Sequence, residues 1–121
     1  MIVEASGLVQ EVRSLHEIEI ENLKKLIEVL SLLANEHRLK IIAMLAEKPM
    51  YISEIQRKLK VSYALTHLYM SSLEKMGLVE SSYETVMGER PHVRKYYKLR
   101  PFKLVISSDL IKKLVEGELN G

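Results

Sequence analysis

The order of elements between Tyr51 and Leu99 leaves few architectures open to this chain. A short helical pattern is followed by a three-residue break, a longer helical pattern, a strand, a turn and a returning strand. This order is typical of a winged helix-turn-helix, in which the second helix lies along a nucleic-acid groove. The segment therefore predicts an architecture and, through it, a class of partner.

The two helices of this segment have recognisable limits. Ile52, Ile55 and Leu59 recur at helical spacing and mark the first helix. Ser62 is a favourable N-cap for the second helix, and Gly77 suits a left-handed C-terminal cap.

The second helix shows two faces on a helical wheel at about 100° per residue. Its predicted core face consists of Leu65, Thr66, Tyr69, Met70, Leu73 and Met76. Its predicted outward face consists of Tyr63, Ala64, His67 and Ser71. The outward residues are small, polar or aromatic, without a carboxylate in the first two turns, and therefore suit close approach to base edges. Without the neighbouring elements, residues of this kind would more often be exposed helix positions that have no binding role.

A basic hairpin is predicted after the second helix. Strands at Leu78–Val86 and Val93–Leu99 flank a tip, residues 87–92, that contains Gly and Pro. The basic residues of the tip and the returning strand are Arg90, His92, Arg94 and Lys95. Clustered Lys and Arg release counterions from the nucleic-acid backbone, so we expect phosphate contacts from this wing, and also from Arg57 and Lys58 before the turn.

The charge is distributed unevenly, although the net charge is only +2. Residues 1–34 carry six acidic and three basic side chains, whereas residues 35–79 carry four acidic and seven basic, and residues 80–121 six acidic and eight basic. Six basic residues succeed one another without an intervening acid: Arg90, Arg94, Lys95, Lys98, Arg100 and Lys103. An acidic start and a basic remainder suggest separate roles, although a solvated strand face would show the same basic run.

Apolar stripes also occur on either side of this region. The first consists of Leu8, Val12, Leu15, Leu23, Leu26, Leu30 and Leu33. It predicts one long helix, or two in succession with a seam around residues 17–22. A further helix begins after Asn35 as its N-cap and ends at Pro49. The last helix follows Ser107 and carries Leu110, Ile111, Leu114 and Val115.

A domain of 121 residues has little interior in which to bury both terminal stripes. We expect residues 1–34 and 104–119 to form a dimer interface around a winged-helix core of residues 35–99. Pairing across a two-fold axis would place two recognition helices one DNA turn apart. The alternative is that both stripes pack on their own domain.

Composition argues against several other classes of protein. The chain has no cysteine, which excludes disulfides, thiolate metal ligands and thiol redox switches. Its four histidines fall on four elements without ligand spacing, and no catalytic constellation stands out, so we expect no metal, no cofactor and no enzyme. No apolar run approaches the roughly 18 residues that span a membrane, which predicts a cytoplasmic protein. Abundant Glu and Lys favour a thermophilic or archaeal source.

Several segments together resemble the ArsR-type repressors. Residues 33–42, LANEHRLKII, are similar to the LADPTRLRIL opening of that family. Residues 52–55 and 61–79 resemble its helix-turn-helix, and residues 95–99, KYYKL, its wing strand. The resemblance covers about residues 23–99 and implies a homodimeric transcription regulator whose helix after Ser62 enters the major groove. MarR-type regulators share much of this pattern, so the wider superfamily is indicated more strongly than the family.

The chain also departs from that family pattern. Lys60 stands where the turn usually has Gly, and the recognition helix lacks the Gln and Arg that often bond to bases. This favours modest sequence specificity or recognition of DNA shape. The family's metal sensors use Cys clusters or Asp, His and Glu sets on the last helix, whereas this last helix carries Asp109, Glu116 and Glu118 without His.

The sequence thus predicts one winged helix-turn-helix domain, mainly α with a small β-hairpin (an α+β fold), that binds double-stranded DNA as a homodimeric repressor without metal sensing. The predicted DNA contacts are Arg57, Lys58, Ser62, Tyr63, Ala64, His67, Ser71, Arg90, His92, Arg94 and Lys95. Two alternatives stay open, a winged-helix module for protein–protein interaction and a non-specific architectural chromatin protein. A small-molecule effector is also left open.

Overall fold

A computed structural model of the protein describes residues 15–120. In chain order, its elements are β1 (His16–Glu17), α1 (Leu23–Leu33), α2 (Glu36–Glu47), β2 (Met50–Tyr51), α3 (Ile52–Leu59), α4 (Tyr63–Lys75), β3 (Val79–Val86), β4 (His92–Leu99), β5 (Phe102–Lys103) and α5 (Ser108–Asn120). The chain divides into two compact units, residues 32–100 and the segments that flank them on either side.

Side-chain caps fix the starts of two helices in the central unit. The Asn35 side-chain oxygen accepts a hydrogen bond from the backbone N–H of Arg38 at 3.0 Å, which begins α2. The Ser62 hydroxyl accepts from the N–H of Leu65 at 3.1 Å, which begins α4. Each cap satisfies a backbone donor that the first helical turn leaves free. Both predicted N-caps are confirmed.

Two left-handed residues end helices α3 and α4. Lys60 has φ +59°, and its N–H donates to the carbonyl of Gln56 at 2.9 Å. Gly77 has φ +80°, and the N–H of Leu78 donates to the carbonyl of Leu73 at 3.0 Å. Lysine therefore adopts the backbone conformation that the turn requires, without the glycine that favours it.

The core of the central unit lies between the three helices α2, α3 and α4 and the hairpin. Its most deeply buried apolar side chains are Ile41, Met50, Ile55, Met70, Leu73, Leu78, Val79 and Tyr97. On α4, four of the predicted core residues are buried, namely Thr66, Tyr69, Met70 and Leu73. The Thr66 hydroxyl donates to the carbonyl of Ser62 at 2.9 Å, which offsets the cost of burying that oxygen.

A three-stranded antiparallel sheet of order β2-β4-β3 completes the central unit. The hairpin pairs without interruption from Val79 opposite Leu99 to Val86 opposite His92, so both strands start within one residue of their predicted positions. Strand β2 was not predicted, because two residues carry no alternation of their own. These two residues form a strand because they pair with β4, Met50 with Tyr97 and Tyr51 with Tyr96.

The flanking unit contains a short parallel ladder and α5. His16 pairs with Phe102 and Glu17 with Lys103, and the His16 N–H donates to the carbonyl of Pro101 at 3.0 Å. The predicted helical pattern is therefore wrong at His16, which forms a strand with a partner far along the chain, whereas Glu17 falls in the predicted seam. The predicted helical positions Leu8 and Val12 lie outside the described residues.

Helix α5 begins at Ser108, directly after Ser107 as predicted, because the Ser107 hydroxyl accepts from the N–H of Leu110 at 3.1 Å and caps it there. The segment assigned to dimerisation, residues 104–119, therefore starts four residues before the helix. None of the residues of α5 is buried. Across residues 15–120, no helix has both the length and the apolar character needed to cross a membrane.

Candidate nucleic-acid interface

Helices α3 and α4 form a helix-turn-helix, and the β3–β4 hairpin that follows is its wing. Ser62, the N-cap of α4, is exposed, and the first turn of α4 contains no acidic residue. A helix N-terminus presents free N–H groups and the positive end of the helix dipole. The start of α4 is therefore open and electrostatically suited to a polyanion.

The exposed surface of α4 agrees with the predicted outward face in part. Tyr63, Ala64 and Ser71 are exposed, whereas His67 is half-buried. Two further exposed residues, Leu68 and Lys75, are absent from the prediction. Helical spacing could have identified both, since they fall four residues after Ala64 and Ser71 respectively.

Tyr63 and His67 form a pair along one edge of α4. The Tyr63 hydroxyl lies 3.1 Å from Nε2 of His67, and the two rings meet edge to face with centroids 4.8 Å apart. Further along the same edge, Glu74 accepts a 2.6 Å hydrogen bond from the Ser81 hydroxyl of β3. The Tyr63–His67 pair therefore lies on the edge of the recognition helix that borders the hairpin.

The four predicted wing residues do not share one surface. Arg90 and His92 are exposed at the tip, where Nδ1 of His92 lies 3.1 Å from the carbonyl oxygen of Arg90. Arg94 and Lys95 are consecutive on β4 and thus point to opposite faces of the hairpin. The Arg94 guanidinium lies 4.8 Å from the centre of the Tyr51 ring, whereas the Lys95 ammonium lies 5.4 Å from that of Tyr97.

The face that carries Arg94 also carries an aromatic cluster. Tyr51 and Tyr96 meet edge to face with centroids 5.1 Å apart, and Glu84 lies opposite Arg94 in the strand register. Burial raises the pKa of Tyr51, and its hydrogen bond with Glu84 acts in the same direction. The cluster links the strand before α3 to the wing.

Lys95 lies on the helix-facing side of the hairpin. Burial alone would lower its pKa, but the interactions with Tyr97, and more weakly with Glu74, outweigh burial and raise the pKa of the amine. Lys95 therefore keeps its positive charge beside α4.

The last predicted contacts, Arg57 and Lys58, are exposed in the final turn of α3. Nε of Arg57 donates to the carbonyl of Ser53 on its own helix, at 3.4 Å. In the described part of the chain, the ion pairs within 4.0 Å join Glu36 to Lys40, Glu17 to Lys103 and Glu116 to Lys112. The basic residues of α3 and of the wing take part in none of these ion pairs.

No metal centre accompanies this surface in the described residues. Between residues 15 and 120, no three His, Asp or Glu side chains come close enough together to hold a metal ion.

Comparison with known protein families and curated proteins gives two agreeing matches. A family model described as bacterial regulatory protein, arsR family, matches residues 35–81, which contain α2, α3 and α4. An uncharacterised HTH-type transcriptional regulator from Methanocaldococcus jannaschii is 34% identical over 97 residues, which cover 78% of this chain and 99% of the relative.

Solved structures with a similar fold include two mycobacterial proteins. One is Rv0081 from Mycobacterium tuberculosis, with 19% identity, a TM-score of 0.53, and coverage of 83% of this chain and 89% of that protein. The other is the homodimeric winged helix-turn-helix DNA-binding domain of a possible ArsR-family regulator from Mycobacterium bovis. It has 22% identity, a TM-score of 0.51, and coverage of 80% of this chain and 78% of that domain. At this identity the likeness concerns the fold.

Proposed function

This chain belongs to the ArsR family of transcriptional regulators, and from that premise we propose that it represses transcription by binding double-stranded DNA as a homodimer. Membership of a family of regulators confirms the prediction that the chain is not an enzyme. The proposed elements are the groove contact of α4, the phosphate contacts of α3 and the wing, and the dimer.

The observation that carries the proposal is the open, acid-free start of α4 beside a basic wing that takes part in no ion pair within 4.0 Å among residues 15–120. Ser62, Tyr63 and Ala64 are exposed where the helix begins. Base edges in the major groove are accessible to a protruding helix, and its N-terminal residues come closest to them. We assign the groove contacts to Ser62, Tyr63, Ala64, His67 and Ser71.

The basic side chains on both sides of α4 are proposed to bind the DNA backbone. Arg57 and Lys58 precede α4, and Arg90, His92 and Arg94 follow it on the wing. Contacts of this type fix the position of a protein on DNA without reading its sequence. Lys95 joins this set from the opposite face of the hairpin, beside α4.

Exposed apolar side chains in the flanking unit support the homodimer. Ile27 and Leu30 on α1 and Ile111 and Leu119 on α5 are exposed although all four are large and apolar. A second copy of the chain would cover such a surface by two-fold pairing. The mycobacterial domain that shares this fold is homodimeric, which also favours this assembly.

The site of action that follows from DNA binding is the cytoplasm.

Binding to random and promoter DNA across a salt series tests the proposed function. We expect the logarithm of the affinity for random duplex to fall linearly with the logarithm of the salt concentration, with a slope set by the number of phosphate contacts. We also expect tighter binding to DNA from upstream of the protein's own gene.

The two alternative functions give different results in the same titration. A protein-interaction module would show no salt-dependent binding to duplex DNA. An architectural chromatin protein would bind tightly but without preference for the upstream DNA.

A further inference from the structure

Leu68 is an apolar side chain at the outermost position of α4. It is 66% exposed, although Thr66, Tyr69 and Met70 beside it are buried in the core. The fold of the central unit therefore makes little use of this leucine.

The exposed residues of α4 beyond its first residue form a single ridge. They are Ala64, Leu68, Ser71 and Lys75. Steps of four, three and four residues keep side chains on one line along a helix. The ridge lies opposite the buried residues Thr66, Tyr69, Met70 and Leu73. A groove that receives α4 would meet this ridge at its centre.

The first two turns of this ridge are mainly apolar. Ala64 offers a methyl group and Leu68 an isobutyl group, while Ser71 follows with a hydroxyl. The hydrogen-bonding groups of Tyr63 and His67 lie to one side, on the edge that borders the hairpin, and are bonded to each other at 3.1 Å. The Ser62 hydroxyl is engaged by the N–H of Leu65. At the centre of the ridge, the groups that would touch a ligand are therefore the apolar side chains of Ala64 and Leu68.

The major groove offers an apolar partner at one base, because thymine carries a methyl group at C5. We propose that Leu68, together with Ala64, reads thymine methyl groups, so that the protein prefers sites with thymine opposite the middle of α4. This inference rests on the proposed function, since it requires α4 to occupy the major groove. Helix α4 has no Arg or Gln to bond to bases, and apolar contacts with thymine would supply part of its sequence specificity instead.

The test uses a DNA sequence selected by the protein itself. The tightest-binding duplex from a pool of random 30-base-pair duplexes is synthesised in two forms, one with thymine and one with uracil at every thymine position. Uracil presents the same hydrogen-bonding edge without the methyl group. The affinities of the wild type, Leu68→Ala and Leu39→Ala are measured for both duplexes by fluorescence anisotropy.

Leu39 provides the matched control because it is a leucine of similar exposure, 51%, on helix α2. Alanine is a good helix former, and removing an exposed side chain has little effect on folding, which circular dichroism verifies. We expect the wild type and Leu39→Ala to bind the thymine duplex about fourfold more tightly for each methyl contact. In Leu68→Ala we expect a smaller preference for the thymine duplex, because only the contact of Ala64 remains.

Three outcomes would overturn the proposal. They are equal affinity of the wild type for both duplexes, an undiminished preference for thymine in Leu68→Ala, and selected sites that contain no thymine. In each case the protein still binds DNA and the proposed function stands. Failure of the wild type to bind any duplex would instead refute the proposed function, and this inference with it.

Discussion

The Arg94 side chain combines a contact within the protein with a charge that is free for a ligand. Its guanidinium lies over the Tyr51 ring, 4.8 Å from the ring centre. A cation held over an aromatic face keeps N–H groups at its rim for other acceptors. Tyr51 therefore positions Arg94 on the outer face of the wing, where we propose that it meets a DNA phosphate.

Replacing Arg94 tests this phosphate contact. Arg94→Ala should weaken binding to all sequences alike and lower the salt slope by about one, because one phosphate contact is lost. Lys40→Ala is the control, since Lys40 is exposed on α2 and pairs with Glu36 at 3.4 Å. An unchanged slope in Arg94→Ala would remove this residue from the interface.

His67 is predicted to act on specificity instead. His67→Ala should reduce the preference for selected over random DNA by about 1 kcal/mol, the lower end of what a base contact contributes. Tyr63→Phe should have a similar effect, because the two side chains are hydrogen-bonded to each other. Equal losses on selected and random DNA would show that the pair contacts the backbone and reads no base.

At the level of elements, the turn between α3 and α4 sets the orientation of the recognition helix. Lys60 holds a left-handed backbone conformation with φ +59°. For a residue with a Cβ atom this conformation costs roughly 1–2 kcal/mol. The packing of α4 on the core keeps the turn in this strained form.

The strain at Lys60 leads to a stability prediction. Lys60→Gly should raise the free energy of unfolding by up to about 1 kcal/mol, since the relief of strain exceeds the entropic cost of glycine. Lys58→Gly should instead lower it by about 1 kcal/mol, because Lys58 lies within helix α3. Urea unfolding of both variants measures the difference, and a destabilised Lys60→Gly would contradict the argument.

Elements that are specified locally could be predicted from the sequence. Asn35, Ser62 and Gly77 define helix ends through bonds to residues close to them, so their roles are visible in the sequence. The two-residue strands β1, β2 and β5 have no pattern of their own, and their partners lie far away in the chain. Pairing at such distance depends on the folded arrangement and leaves no local signal.

The candidate site was predictable in composition but not in arrangement. Arg94 and Lys95 are both predicted wing contacts, but the alternation of side chains along a strand places them on opposite faces. Leu68 belongs to neither predicted face of α4, although it lies four residues after Ala64 and is exposed like it.

At the scale of the whole molecule, large apolar side chains are exposed in the flanking unit. Helix α5 buries none of its residues, and Ile111 is 43% exposed. We attribute this surface to the proposed homodimer. Two linked copies would also bind DNA more tightly than one, because the second contact becomes intramolecular.

A charged residue at this surface should separate the copies. Ile111→Asp should sediment as a monomer at concentrations where the wild type is a dimer, and it should bind DNA much more weakly. Lys113→Asp on the same helix controls for the added charge, and we expect it to remain dimeric. A monomeric wild type would refute the dimer, and a dimeric Ile111→Asp would place its interface elsewhere.

NMR spectroscopy of the labelled protein tests most directly whether α4 and the wing form the DNA-binding surface. Backbone amide signals are followed while the selected 30-base-pair duplex is added. We expect the largest shifts at the start of α4, residues 62–71, and at the hairpin tip with the first residues of β4, residues 87–94, with small changes in α5. Shifts confined to α1 and α5, with α4 and the hairpin tip unaffected, would contradict it.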